Sequence, residues 1–408
     1  AVNGKTHQLT YKVSEGPLAK GSEPFLAAAL LPAMKLGQPL QVSGTVSPKL
    51  LTATQTIQDI FHKWFPEFQK ISVQAEPGLS DEVGRTSEVG AFFSGGVDSF
   101  YTLLKHQDEI TKIIFVHGFD MMLERTSLRS KVSKEIRRVA EELGKPLIEV
   151  ETNVREFSDQ YADFVNYYGE SMLLSIGILL SPQFKKIYIP STEPYDHLFP
   201  DTTHPLLDPL WSTESLTFEH NGCEASRLEK ITRISQSDIA LRSLRVCIQN
   251  RDDSYNCGKC EKCLRTMISL HAVGALERCT TFDQKLDVEA VSRMELWLVR
   301  LLPFAEENLR ALERRGNDPE LAEALRLCIN NYKYNQLSTL LNENLNEFLA
   351  SAQGVQFIGA RKNTIFRTLW QNEREWLFKE AIKEKVKELD QKFFSGMLRR
   401  LYDSGINK

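Results

Sequence analysis

The sequence lacks an apolar run long enough to cross a bilayer. Its longest apolar stretches, residues 25–34 and 172–180, fall well short of the roughly 20 residues that a transmembrane helix needs. The N-terminus (AVNGKTHQLTYKV) also lacks the apolar centre of a secretory signal and is typical of a strand. We therefore expect a cytoplasmic protein that has no membrane partner.

An excess of charge of one sign is also missing. The chain has 50 Lys+Arg and 54 Asp+Glu in 408 residues, a formal net charge of −4. This balance excludes a protein that binds nucleic acid through its overall charge. Basic residues are frequent after residue 360, but acidic residues are interleaved at helical ion-pair spacing. That pattern favours solvated helices over a nucleic-acid surface.

Cysteine is too scarce for a disulfide scaffold, because the chain has only seven, an odd number. Four of them lie within residues 247–263, which is typical of a metal site in a reducing compartment. Cys223, Cys279 and Cys328 are isolated in the sequence, and we expect them to be packing residues.

Three regions differ in their residue patterns. Residues 1–85 mix strand-like runs with one helical run, which predicts a small α+β domain. Residues 86–285 alternate short apolar runs with helical patterns, which predicts an α/β domain with a doubly wound parallel sheet. Residues 286–408 have leucine and charge at 3.6-residue spacing, which predicts a helical C-terminal domain.

A glycine-rich loop follows the predicted strand Val89–Phe93. The loop reads Ser94-Gly95-Gly96-Val97-Asp98-Ser99 and precedes an amphipathic helix. Paired glycines let a backbone approach a ligand closely, and the N–H groups at a helix N-terminus favour a phosphate. The lysine of a Walker loop is missing. We interpret the loop as a phosphate site, where Asp98 holds Mg²⁺ or orients the loop amides; the alternative is a plain glycine turn.

Cys247, Cys257, Cys260 and Cys263 occur in the string CIQNRDDSYNCGKCEKC. Four thiolates from a knuckle and a returning chain satisfy tetrahedral Zn²⁺ without an open position, which favours a structural zinc site. An iron–sulfur cluster is the alternative, because Cys-x-x-Cys-x-x-Cys also begins ferredoxin-type runs.

The string SGGVDS resembles the signature of the N-type ATP pyrophosphatases, also called PP-loop enzymes. Together with the cysteine pattern about 150 residues later, it resembles 7-cyano-7-deazaguanine synthase over about residues 88–285. The resemblance implies the adenine nucleotide α-hydrolase-like fold, ATP and Mg²⁺ as cofactors, and release of AMP and pyrophosphate. It also implies roles for four other segments. The strand end carrying Val116 and His117 would contact adenine, Gly169 and Arg227 would lie near the nucleotide, and Asp201 would lie beside the substrate.

The resemblance implies an ATP-dependent ligase that adenylates an acceptor oxygen and forms a C–N bond in an amide or nitrile. The acceptor is an unknown small molecule or protein, and a homodimer is possible. His197 or His204 could act as a general base in the polar loop around Asp201. Two alternatives are a PP-loop sulfurtransferase acting on tRNA or a small molecule, and a protein-modifying or adapter component of an anti-phage system.

Overall fold

The computed structural model describes residues 6–78, 86–161 and 163–350. The eight strands in these ranges are β1 (Tyr11–Val13), β2 (Leu40–Val46), β3 (Val73–Pro77), β4 (Val89–Phe92), β5 (Lys112–His117), β6 (Leu147–Thr152), β7 (Lys186–Pro190) and β8 (Thr217–Asn221). The same ranges contain the helices α1 (Glu23–Leu36), α2 (Pro48–Trp64), α3 (Val97–Lys105), α4 (Thr126–Glu142), α5 (Val154–Ser158), α6 (Gly169–Leu179), α7 (Arg227–Ile234), α8 (Asp238–Ser243), α9 (Glu261–Ala272), α10 (Val288–Ser292), α11 (Leu302–Arg315) and α12 (Pro319–Ala350).

The central element is a six-stranded sheet with the strand order β1-β6-β5-β4-β7-β8. The five strands from β6 to β8 in this order are parallel, and β1 pairs antiparallel with β6. Strands β2 and β3 form a separate parallel pair. The chain is therefore an α/β protein with a mostly parallel sheet, which confirms this part of the expected fold class.

Helices cover both faces of the sheet because alternate strand residues point into two different cores. Phe92 and Ile114 belong to one core, together with residues of α1, α2 and α6. Their neighbours Ala91 and Ile113 belong to the other, together with residues of α3, α4 and α7. Parallel strands are buried on both faces, which explains why β4 is apolar along its whole length. The arrangement is consistent with a Rossmann-like fold.

The strand order reverses at β4. From this strand the chain adds β5 and β6 on one side and later adds β7 and β8 on the other. Open α/β sheets bind ligands in the crevice at the carboxyl ends of the strands, where the order reverses. The glycine-rich loop follows β4 at this edge.

The N-terminal segment does not form a separate core, contrary to the expected domain over residues 1–85. Strand β1 completes the edge of the central sheet, and α1 packs against α6 in a shared core. The physical reason is that α1 is apolar around most of its circumference, so β2 and β3 alone cannot bury it. One compact unit extends through Asp287.

A second compact unit begins at Val288. Its described residues, 288–350, contain helices and no strand. Residues 351–408 of the predicted helical C-terminal domain, including the basic residues after 360, lie outside the described residues. Among the described helices, none has both the length and the apolar composition needed to cross a membrane.

Candidate functional site

The loop between β4 and α3 places a helix N-terminus at the reversal point of the sheet. Gly95 has a φ of +76°, a left-handed conformation that favours glycine, and its carbonyl accepts a hydrogen bond from the Arg245 N–H at 2.8 Å. Gly96 is the N-cap residue of α3, and no side chain of the residues described by the structure caps this helix. Its first N–H groups are therefore available to an anion, as the sequence pattern predicts.

A cavity of about 330 Å³ lies against this loop and the carboxyl ends of β4, β5 and β7. Four of the residues that line it carry positive charge: Arg227, Arg245, Lys262 and Arg265. The acidic residues of the lining are Asp98, Asp120 and Glu170. Cationic side chains around a helix N-terminus form a site suited to a polyphosphate.

Two of these cations have donors that no group in the described part of the chain accepts from. The Lys262 ammonium makes no hydrogen bond or ion pair with any residue in the described part of the chain, and burial lowers its pKa from the ordinary value. Arg245 donates from Nη2 to Asn250 at 2.7 Å, but its buried Nε has no acceptor among the described residues. The buried Nε of Arg245 costs free energy without an acceptor, and a bound anion would recover it.

Asp98 is the centre of an ion-pair network at the start of α3. Its carboxylate lies 3.1 Å from Nη2 of Arg227 and 3.4 Å from Nζ of Lys230, and it accepts a hydrogen bond from Thr192 at 3.2 Å. Burial opposes ionisation, but Arg227, Lys230 and Lys262 together hold the pKa of Asp98 below its usual value. These partners are side chains of other segments, so the contacts place Asp98 in a network with Arg227 and Lys230, and its expected roles of holding Mg²⁺ or orienting the loop amides stay predictions.

The four cysteines of the predicted metal site come together. The sulfur atoms of Cys247, Cys257, Cys260 and Cys263 all lie within 4.8 Å of one another, and two of the pairs are 4.0 Å apart. A tetrahedral ion with Zn–S bonds near 2.3 Å spaces its ligand sulfurs by roughly 3.8 Å. The cluster could therefore hold a single metal ion such as zinc.

Backbone hydrogen bonds hold the cysteine loops in place. The N–H of Asn250 donates to the sulfur of Cys247, and the N–H of Cys260 donates to that of Cys257, both at 3.3 Å. The buried Asn256 side chain accepts from the N–H of Cys247 at 3.2 Å and donates to Leu244 O at 2.8 Å. The loop geometry is thus fixed by contacts that a sequence pattern does not reveal.

The cysteine cluster and the cavity share two segments of chain. Arg245 immediately precedes the first cysteine loop, and α9 begins directly after Cys260. Lys262 and Arg265 stand three residues apart on α9 and both line the cavity. Sequence reasoning missed these two cations, although their helical spacing beside the cysteines is a signal that could have found them.

The cavity brings together seven of the expected site residues: Ser94, Gly96, Val97, Asp98, Ser99, Val116 and Arg227. The expected residues Gly95, His117, Gly169 and Asp201 do not belong to its lining. His117 is buried, and its Nε2 lies 3.1 Å from a Glu149 carboxylate oxygen. Gly169 begins α6, and its neighbour Glu170 lines the cavity instead.

Neither histidine that was considered as a general base lines the cavity. His197 is partly exposed, with Nδ1 located 3.1 Å from Asp196. His204 is buried against Trp64, and its Nδ1 accepts a hydrogen bond from the N–H of Leu206 at 3.0 Å. Burial, followed by the neighbouring His220, lowers the pKa of His204.

Cys223 has polar partners, which differs from the packing role expected from its isolated position. Its sulfur lies 3.0 Å from Nε2 of His220 and 3.3 Å from Oγ of Ser191. The other ring nitrogen of His220 lies 2.6 Å from the carboxylate of Asp208. Sequence reasoning did not consider His220.

Neither a scan of protein-family models nor searches of curated proteins and of solved structures found a match to this chain.

Proposed function

We propose that the chain is an ATP pyrophosphatase of the N-type, or PP-loop, class. It would cleave ATP to AMP and pyrophosphate while it adenylates an oxygen of an acceptor, and an amine or ammonia would then displace AMP. The observation that carries this proposal is the cavity itself, in which an uncapped helix N-terminus and four cationic side chains converge at the reversal point of a parallel sheet.

The charges of the cavity suit a triphosphate and its metal ion. Lys262 and Arg245 would neutralise phosphate oxygens, since each has a donor without an acceptor among the described residues. Asp120 lines the same cavity, and its carboxylate makes no hydrogen bond with another described residue. Together with phosphate oxygens, Asp120 could hold Mg²⁺, which prefers a few carboxylate ligands and retains water.

In this proposal, the protein positions groups and stabilises charge. Asp98 holds Arg227 in place through their ion pair. The planar guanidinium of Arg227 would donate hydrogen bonds to the α-phosphate oxygens as negative charge develops on them. No side-chain nucleophile is needed for adenylation. The cysteine cluster, which we propose to hold zinc, would stabilise the two segments that carry Arg245, Lys262 and Arg265.

An experiment on Asp98 tests the proposed function. Protein would be incubated with ATP, Mg²⁺ and a library of small carboxylic acids and amines, and the nucleotides separated by chromatography. We expect AMP and pyrophosphate, with the rate reduced about 10²–10³-fold in Asp98→Asn because a preorganised charge is lost. Asp108→Asn is the matched control, since Asp108 is exposed beyond the end of α3.

Binding is measured separately because the acceptor is unknown. Calorimetric titration with a non-hydrolysable α,β-methylene ATP analogue should show one site in the unmodified protein and in Asp108→Asn. Production of ADP and phosphate would contradict the pyrophosphatase assignment, and an absence of analogue binding would contradict the nucleotide site.

A further inference from the structure

We propose that Cys223, His220 and Asp208 form a thiol nucleophile that carries an acyl group as a thioester. This site is separate from the phosphate cavity and needs no ATP. The three side chains are in contact one after another. Asp208 Oδ2 lies 2.6 Å from His220 Nδ1, and His220 Nε2 lies 3.0 Å from Cys223 Sγ.

The geometry is that of a nucleophile, a base and an orienting group. Each nitrogen of the imidazole has its own partner, so Asp208 fixes the ring with Nε2 directed at the thiol. Asp208 is fully buried, and its second oxygen accepts a hydrogen bond from the N–H of His204 at 3.2 Å. The orienting carboxylate is therefore itself held in place.

The arrangement does not resemble a metal site. Within the part of the chain that the structure describes, only Cys247, Cys257, Cys260 and Cys263 gather as a potential metal-binding group. Nor does it resemble ordinary packing, because a buried thiol that only fills space needs no histidine and carboxylate beside it.

Charged groups around the triad favour the ion pair of a thiolate and an imidazolium. Burial opposes the thiolate, but His220, Ser191 and Lys230 together lower the pKa of Cys223. Burial likewise opposes the imidazolium, but Asp208 and Cys223 raise the pKa of His220 to about 9. A thiolate is the reactive form of cysteine, so this pairing supports a nucleophile.

Other titratable groups face the same site. Glu170 and His204 each lie close enough to interact electrostatically with Asp208 and His220. Asp201 interacts electrostatically with Glu170. Lys230 donates to the carbonyl of Ser191 at 2.7 Å. Two of these residues connect the triad with the phosphate cavity, because Glu170 lines the cavity and Lys230 pairs with Asp98, which lines it too. The thiol therefore lies next to the wall of the cavity.

The reaction is an acyl transfer without a change of oxidation state. The thiolate attacks the carbonyl carbon of an ester or another activated acyl compound, and a C–S bond forms. The bond from that carbon to the leaving group breaks, and the departing atom takes the proton from His220 Nε2. Water or an amine later attacks the thioester and restores the thiol. The class of substrate is therefore an activated acyl compound.

The first test uses iodoacetamide on the unmodified protein, so it does not depend on the folding of a variant. Alkylation of each cysteine is followed by peptide mass spectrometry between pH 5.5 and 9.5. Cys279 is an internal control, because it is also buried and burial raises its pKa. We expect Cys223 to react about 10²-fold faster than Cys279 near pH 6.5. Equal rates for the two cysteines, or no reaction of Cys223, would overturn the proposal.

The second test uses p-nitrophenyl acetate as the acyl donor. We expect a burst of p-nitrophenolate and one acetyl group on Cys223, both absent in Cys223→Ala and retained in Cys279→Ala. In Asp208→Asn and His220→Asn the burst should slow about 10²-fold or more, and the iodoacetamide pH profile should shift toward that of an ordinary thiol. An additional sulfur atom on Cys223 of the isolated protein would overturn acyl transfer in favour of sulfur transfer.

Discussion

Two sites in the molecule contain buried cysteine, and they differ in the groups that surround the sulfur. In the cluster of Cys247, Cys257, Cys260 and Cys263, all four side chains are thiols from one short stretch of sequence. At Cys223, one thiol meets an imidazole and a carboxylate that other segments deliver. The comparison shows how the partners of a thiol determine its chemistry, because four thiolates saturate a metal ion whereas a histidine activates a single sulfur.

The first prediction concerns the zinc proposed for the cysteine cluster and has the largest expected effect. Cys260→Ser should lose the metal and much of the folding free energy, because structural zinc contributes on the order of 10 kcal/mol in small zinc domains. Metal content by mass spectrometry and the Tm check this result. Cys279→Ser is the control, since Cys279 is buried but lies outside both sites. A Cys260→Ser protein with unchanged Tm would contradict a structural role, and a brown preparation would indicate iron and sulfur.

The second prediction concerns the charged pair at Cys223. The pKa of His220 rises from 6.5 to about 9 on folding. A raised histidine pKa stabilises the folded state fully below about pH 6.5, and this stabilisation disappears as the pH rises through about 9. His220→Asn should therefore lose about 3 kcal/mol of unfolding free energy at pH 6 and much less at pH 10.

Urea unfolding at the two pH values measures this difference. His62→Asn is a suitable control, because the His62 ring makes a 2.7 Å contact with the Phe68 carbonyl and has no carboxylate partner in the described ranges. The same loss of stability at pH 6 and pH 10 would mean that His220 contributes packing and hydrogen bonding without a charge.

The third prediction separates ligand binding from stability beside the cysteine cluster. Lys262→Gln should weaken binding of the ATP analogue about tenfold, which corresponds to about 1.4 kcal/mol. Its Tm should stay constant or rise, because burial disfavours an ammonium that has no ion-pair partner among the described residues. Lys259→Gln is the matched control, since Lys259 is exposed on the same knuckle. A lower Tm with unchanged affinity would show that Lys262 supports the fold.

The sequence predicted those features whose residues are close together along the chain. The loop at residues 94–99 and the four cysteines each occupy a short string, so the residue pattern reveals the geometry. The central α/β region was predicted from alternating apolar runs, and its mostly parallel sheet is confirmed. The separate N-terminal domain was not found, because no local pattern shows that β1 pairs with β6.

The remaining parts of the site depend on tertiary structure. Arg245 and Lys262 become neighbours of the loop only after two different segments return to the edge of the sheet. The contacts of Cys223 depend on β8, which brings His220 beside the loop that carries Asp208. A lone cysteine in a sequence gives no indication of such partners.

The antiparallel strand at the sheet edge has a consequence for the timing of synthesis. Tyr11 pairs with Thr152, so 141 residues must be added before this contact can form. At about 5–20 residues per second, the first strand waits roughly 7–28 s for its partner. During this interval it is exposed to other nascent chains. Its length of only three residues, with Lys12 at the centre, limits its ability to pair with them.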